Sequence, residues 1–172
     1  MCKRLLWPLQ WVIEVIKMKG LIVRHAREED IPEIMRIIHD AFIIYMENGS
    51  LPCPPSALFE TEDEVMEDIR KKCVIVAEHK GRVSGSLRLE FKDEEAYLSR
   101  FAVDPSLHRA GIGNALLLAA DEEAVKNGCK KIVLHTSLSA KNLVRLYKTH
   151  GFLVCNINTD RGYRRAELVK NI

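Results

Sequence analysis

Residues 103–116 read VDPSLHRAGIGNAL: an apolar strand end, a polar turn, two glycines and the opening of a helical pattern. The chain holds only nine glycines, and Gly111 and Gly113 both stand at the mouth of this one helix. Glycine loses more backbone freedom on folding than any other residue, so two of them here point to a backbone that something approaches closely. A strand–glycine–helix junction leaves N–H groups unpaired at the positive end of a helix, and together these form an anion site. A turn that merely packs helix against strand is the other reading of the loop alone. Two common phosphate motifs are excluded. A P-loop requires a lysine directly after its last glycine, and Asn114 follows Gly113; a dinucleotide fingerprint requires a third glycine where Leu116 stands.

Outward from this loop the apolar residues repeat alternately with strand and helix periods. Upstream, EAYLSRFAV (95–103) reads as a strand, preceded by CVIVAEH (73–79) and VSGSLRLEF (83–91) around a turn at His79–Arg82. Val83, Gly85, Leu87, Leu89 and Phe91 alternate with polar residues, which is the pattern of a half-exposed antiparallel strand. LIVRHA (21–26) is a strand, and Asp30 is the expected N-cap of a helix with Pro32 in its first turn. Ile31, Ile34, Met35, Ile38, Ala41, Phe42 and Tyr45 form that helix's apolar face. ENGSLPCPPSALFE (47–60) reads as a loop, and a more polar helix runs from about Thr61 to Lys72. Downstream come a helix from about Gly113 to Asn127, stopped by Gly128, the strand KKIVLHT (130–136), and the helix AKNLVRLYKTH (140–150), stopped at Gly151. FLVCNIN (152–158) and GYRRAELV (162–169) supply the last strands. This order predicts an α/β fold, a mixed central sheet of about seven strands flanked by about four helices.

Composition narrows the function. The 172 residues suffice for one domain with a proper core, and fractions of 47% apolar and 29% charged are those of a globular chain. A net charge of +2 carries no footprint for nucleic acid. The cluster Arg161, Arg164 and Arg165 reads as a solvated strand end. Five cysteines without a CxxC pair, and six histidines without ligand spacing, predict neither a disulfide framework nor a metal site. A reducing cytoplasm is the expected location. Residues 1–20 read as an N-terminal extension, with Leu9, Val12, Ile13 and Ile16 on one face of an amphipathic helix. Pro8, Gln10, Glu14 and Lys17 interrupt it, so neither a signal peptide nor a membrane span is expected. Residues 21–172 form the expected domain.

With the phosphate motifs set aside, the stretch His108-Arg109-Ala110-Gly111-Ile112-Gly113 resembles the acetyl-CoA loop of the GNAT superfamily of N-acetyltransferases, whose signature is [QR]-x-x-G-x-[GA]. His108 stands where Gln or Arg is usual. LYKTHGF (146–152) is similar to the family's late signature L-Y-x-x-x-G-F, and VRHAREEDIPEIMRI to its opening strand and helix. The resemblance covers about residues 21–170.

It implies acetyl-CoA as co-substrate, without a metal, bound in a gap where two parallel strands splay apart. The pantetheine arm would pair with Phe101, Ala102 and Val103, and the pyrophosphate would rest on the N–H groups of Arg109, Ala110, Gly111, Ile112, Gly113 and Asn114. Tyr147 matches the family's tyrosine and would protonate the departing thiolate, a role suited to a phenol. The family often has Asn where Ala140 stands, and Asn142 is carried as its substitute on the cofactor. The implied reaction moves an acetyl group directly to a primary amine of a small molecule or peptide. Glu90, Glu94 and Glu95 are weighed as bases against plain surface glutamates, with Ser99 and Arg100 on the acceptor side. Glu47 would suit an ammonium substrate. Neither nucleic acid nor a membrane is an expected partner, and a homodimer is left open. The competing readings are a sensor that holds acyl-CoA without turnover and a nucleotide-binding α/β protein.

Overall fold

Alternating strand and helix periods resolve into one seven-stranded sheet with helices on both faces. The structure, a computed structural model, describes residues 20–107 and 110–172. The expected extension at residues 1–20 therefore lies outside the described residues except for Gly20. The strands are β1 (Leu21–His25), β2 (Cys73–His79), β3 (Arg82–Lys92), β4 (Glu95–Val103), β5 (Lys131–Ser137), β6 (Leu153–Asn158) and β7 (Arg165–Asn171). The helices are α1 (Ile31–Asn48), α2 (Glu62–Lys71), α3 (Ile112–Lys126) and α4 (Lys141–Thr149). The sheet order is β1-β2-β3-β4-β5-β7-β6. Among the described strands only β4 and β5 pair in parallel, and α3 supplies the crossover such a pair requires.

Two apolar cores result, one on each face. Ile34, Ile37 and Ile38 of α1 and Val65 of α2 bury against Val74, Val76 and Ala102. On the other face, Ile112, Leu116 and Leu117 of α3 and Tyr147 of α4 bury against Ile75, Leu87, Leu98 and Leu134. The β3 strand thus has helices over both faces, and this corrects the half-exposed reading. Its polar alternates Ser84, Ser86 and Arg88 are as buried as Leu87 and Leu89. No helix of the described residues is long and apolar enough to cross a membrane.

Two local details also differ from the sequence reading. Asp30 stands at the N-cap position of α1 with Pro32 in the first turn, as the sequence reading has it, but its side chain makes no cap hydrogen bond, because a 3-10 turn at Glu28–Asp30 starts the helical path early and gives it a helical φ of −83°. Its carboxylate instead accepts from the Arg27 N–H at 2.8 Å and from Arg24 at 2.7 and 2.9 Å. Helix α1 runs through Glu47 and Asn48, so the loop begins at Gly49. By contrast Thr61, read as the start of the second helix, caps α2 with its side chain, and Glu64 returns a carboxylate to the Thr61 N–H at 2.8 Å.

Candidate active site

Parallel strands β4 and β5 pair only at Glu95↔Lys131, Ala96↔Ile132 and Tyr97↔Val133. Beyond those three pairs β4 continues to Val103 and β5 to Ser137 without further ladder pairing, so the sheet opens into a V. A bulge lies at the parting, where Leu87 of β3 stands opposite both Arg100 and Phe101. Arg100 takes a left-handed φ of +51° there, an uncommon conformation for a side chain this large. Its guanidinium is tied to Glu60 Oε1 at 2.7 Å and Ser56 Oγ at 3.2 Å, which fixes the bulge from the 3-10 turn at Ser56–Phe59. Glu60 in turn takes both Nη groups of the buried Arg88 at 2.9 and 2.8 Å, and Asp68 of α2 takes Arg88 Nη1 at 2.6 Å.

A cleft of about 540 Å3 occupies the V, lined by Ala41, Ile44, Tyr45 and Asn48 of α1 and by the starts of α3 and α4. Phe101, Val103, Gly111, Ile112, Gly113, Asn114 and Asn142, all carried from the resemblance as cofactor residues, line it. Ala102 does not, because its side chain packs in the α1 core, and Ala110 is exposed outside the cleft. His108 and Arg109 lie outside the described residues. The two glycines serve different needs. Gly111 is the helix N-cap at φ +80°, where a Cβ would meet nothing but the backbone would be strained. Gly113 allows close approach, since a Cβ there would lie 3.2 Å from Phe101 and 3.4 Å from Leu146.

The first backward helical bond of α3 runs from Ala115 N–H to Gly111 O at 3.0 Å. The N–H groups of Gly111, Ile112, Gly113 and Asn114 therefore have no intrahelical acceptor. Ala110 has spent its N–H on Leu107 O at 3.3 Å. Lys141 is the one cation among the described lining residues, a group the sequence reading missed. The approach to the glycines is held by Asp104, which accepts from Ser106 N–H at 3.0 Å, Ser106 Oγ at 2.6 Å and Arg36 at 2.8 Å. Hydrogen bonds from Ser106, then Arg36, draw its carboxyl down to about 2.

A second cavity of about 390 Å3 opens on the other side of the parting, and Tyr45, Phe101 and Leu143 line both spaces. Tyr147 lines this second cavity from its floor, 3% exposed, with its ring centroid 5.8 Å from that of Phe101 and 5.7 Å from that of Phe152. Burial pushes its phenol well above the ordinary range, so it stays protonated. Ser99 and Arg100 line the cavity. Glu90, Glu94 and Glu95 do not: they pair with Lys72, Lys130 and Lys131, away from the parting. Glu47 is exposed and outside both spaces.

The titratable pair inside the cavity is one that sequence reasoning did not find. Tyr97 of β4 and His135 of β5 face each other across the parting, with Tyr97 Oη 3.2 Å from His135 Nδ1. His135 Nε2 lies 3.3 Å from Glu167 Oε2 on β7. A carboxylate only accepts, so Nε2 carries the hydrogen and Nδ1 is left to accept from the Tyr97 hydroxyl. Burial above all, then the nearby charge of Arg165, holds the imidazole below its ordinary range and neutral at physiological pH. Arg161 and Arg165, read from the sequence as a solvated strand end, also line this cavity, Arg161 from an exposed position and Arg165 half-buried, whereas Arg164 is exposed and outside it.

Far from both spaces, His25, Cys73 and Glu123 bring ligand-capable atoms within 4.8 Å of one another, a juxtaposition that sequence spacing does not show. Burial, then Glu123, pushes the Cys73 thiol up to about 12, and Lys126 holds the same carboxylate at 2.8 Å. The described cysteines Cys53, Cys73, Cys129 and Cys155 are all free.

Residues 32–152 match the acetyltransferase (GNAT) family. The chain is 27% identical over 161 residues to mycothiol acetyltransferase of Propionibacterium freudenreichii, a match covering 87% of this chain and 47% of that protein. It is 27% identical over 136 residues to human N-alpha-acetyltransferase 30, covering 76% of this chain and 34% of the relative. The chain thus spans about half or less of the length of these relatives. Among solved structures, the paia N-acetyltransferase from Thermoplasma acidophilum in complex with coenzyme A shares the fold at a TM-score of 0.77 and 16% identity, over 88% of this chain and 99% of that one.

Proposed function

The chain belongs to the acetyltransferase (GNAT) family, and from that premise we propose that it transfers an acetyl group from acetyl-CoA directly to a primary amine of a small molecule or peptide. The observation that carries this reading is the parting of β4 from β5 after Tyr97 and Val133, with a glycine-headed helix on one side and the Tyr97–His135 pair on the other.

The described residues fit the co-substrate. The N–H groups of Gly111–Asn114, with no acceptor among the described residues, and Lys141 on the same cleft lining suit a pyrophosphate. The unpaired edge of β4 from Leu98 to Val103 suits an extended amide-bearing arm. When bound, acetyl-CoA supplies the thioester carbonyl that the amine attacks and the thiol that leaves. The rest is the work of this chain. As the amine loses its proton, the Tyr97 oxygen receives it while the Tyr97 hydroxyl proton passes to His135 Nδ1. Glu167 accepts from Nε2–H and stabilises the imidazolium that forms. Tyr147, protonated on the floor, gives its phenolic proton to the thiolate. A neutral imidazole and a protonated phenol in one cavity divide base and acid between two groups whose surroundings push their ionisations apart.

The test is CoA thiol release from acetyl-CoA against a panel of amino acids, peptides and polyamines, with thermal shift run beside it. Acetyl-CoA should raise the melting temperature, and at least one amine should release thiol. His135→Gln should lower kcat/KM by about 10²-fold or more while keeping the acetyl-CoA shift. A strong acetyl-CoA shift with no turnover on any amine would favour a sensor over an enzyme.

A further inference from the structure

The charge around the acceptor cavity runs opposite to what an ammonium ligand needs. Three arginines line it, Arg100, Arg161 and Arg165, and no aspartate or glutamate is among its described lining residues. Arg100 is neutralised by Glu60 at 2.7 Å. Arg161 and Arg165 meet no carboxylate within 4 Å among the described residues. Glu167, two residues from Arg165 on β7, is turned to His135, and Asp160, next to Arg161 in sequence, forms no ion pair with either arginine among the described residues. Two uncompensated guanidiniums therefore flank the place where the amine must arrive, with the Tyr163 phenol between them in sequence. A further polar group is unspent: Thr136 Oγ1, on the lining strand β5, is buried and has no hydrogen-bond partner among the described residues.

Resting on the amine-acceptor reading above, we propose that the acceptor carries an anionic oxygen group, a carboxylate or a phosphate, close to its reacting amine, and that Arg161 and Arg165 hold it. A guanidinium presents paired N–H donors that match either anion, and these two, one exposed and one half-buried on the cavity wall, keep that bonding capacity free. The arrangement selects against polyamines, whose further cations would face two positive charges. It also assists the chemistry, since nearby positive charge disfavours the ammonium form and raises the fraction of free amine. Glu167, Tyr97 and His135 remain committed to one another, so the anion does not compete with the base for its partner.

Matched acceptors test this directly. An α-amino acid should be used at least tenfold better than its amide, or phosphoethanolamine at least tenfold better than ethanolamine, and which pair shows the preference identifies the anion. Arg161→Gln together with Arg165→Gln should abolish that preference through KM of the acceptor, with KM for acetyl-CoA unchanged. Equal use of acid and amide in both pairs, or a preference for spermidine, overturns the proposal. A second readout needs no turnover. In free protein, inorganic phosphate or an N-acetyl amino acid should shift the His135 ring signals in NMR, and the double variant should lose that shift. If no amine is acetylated but the anion-dependent shift at His135 is present and arginine-dependent, the acetyltransfer reading fails while the anion site stands. Absence of any shift at His135 with both probes overturns the site itself.

Discussion

On the wall of the acceptor cavity built by the 56–60 turn and β4, Arg100 is bonded to Glu60 and Ser56, and behind it Arg88 is bonded to Glu60 and Asp68. Across the cavity, at the entry to β7, Arg161 and Arg165 line the same space with no described carboxylate beside them. The residue type is the same, yet the surroundings assign different work. Arg88, with a side chain only 3% exposed, costs much to desolvate and is kept by three short bonds that pin α2 and the turn onto the sheet. The opposite pair is wet enough to stay charged without a partner, so its bonding capacity is left for a ligand. One wall fixes the shape of the parting and the other reads what enters it.

The largest expected effect comes from unfastening the first wall. Glu60→Ala leaves Arg100 without its carboxylate and Arg88 with Asp68 alone. Breaking a buried ion network from one side costs about 3 kcal/mol, or a fall in melting temperature of about 6–12 °C for a domain of this size. On the second wall, Arg161→Gln removes a side chain with no described ion-pair partner and should change stability by no more than about 0.5 kcal/mol. Urea unfolding midpoints at unchanged m-value compare the two. Equal destabilisation by both substitutions would erase the distinction between the walls.

Next in size is Tyr147→Phe, on the floor where the walls meet. The ring contacts to Phe101 and Phe152 survive in the variant, and no described group loses a hydrogen bond to the phenol. Melting temperature should hardly move. The maximal rate should fall by about 10²-fold, or about 2.7 kcal/mol, the scale of one general acid. Burial keeps this phenol protonated through any practical assay range, so the alkaline limb of kcat/KM should survive the substitution. Unchanged turnover would remove Tyr147 from the reaction.

How far the sequence alone reaches follows from the same residues. Element order, the glycine loop and Tyr147 are legible because period, caps and motifs are local. The cover on β3 is not, since Val83 to Phe91 alternate just as a half-exposed strand would, and only the placement of α1 and α3 buries the other face. Asp30 sits at the N-cap as its sequence context suggests, but its carboxylate goes back to Arg27 and Arg24, which the local sequence does not show. The base is not legible for a non-local reason: Glu90, Glu94 and Glu95, weighed as bases against plain surface glutamates, stand beside strand ends, but at the zipped end of the β4–β5 pair. Tyr97 and His135 become neighbours only through the register Tyr97↔Val133, which no single stretch encodes. A histidine in a buried parallel strand was the available signal. Arg161 and Arg165 likewise read as ordinary solvated charge until β7 is placed beside β5.

The smallest expected effect links the unpaired wall to the base. His135 is faced by Tyr97 from β4, by Glu167 and Arg165 from β7, and by Arg161 from the preceding loop. Burial is the first cause of its lowered ionisation, Arg165 the second, and Arg161 acts in the same direction, while Glu167 opposes them. A base must be neutral to accept a proton, so kcat/KM falls as the pH drops through the ionisation of His135. The acid limb should therefore lie below the ordinary histidine value of about 6.5. Arg165→Gln removes one cation, stabilises the imidazolium and should raise this ionisation, moving the limb toward neutrality by less than about one pH unit. NMR titration of the His135 ring in the free protein isolates the electrostatic part from any loss of acceptor binding. Added salt should shrink the difference between the two proteins, because the charges on this wall are partly exposed. If His135 titrates identically in both proteins at low salt, Arg165 does not act on the base, and the second wall would serve the acceptor alone.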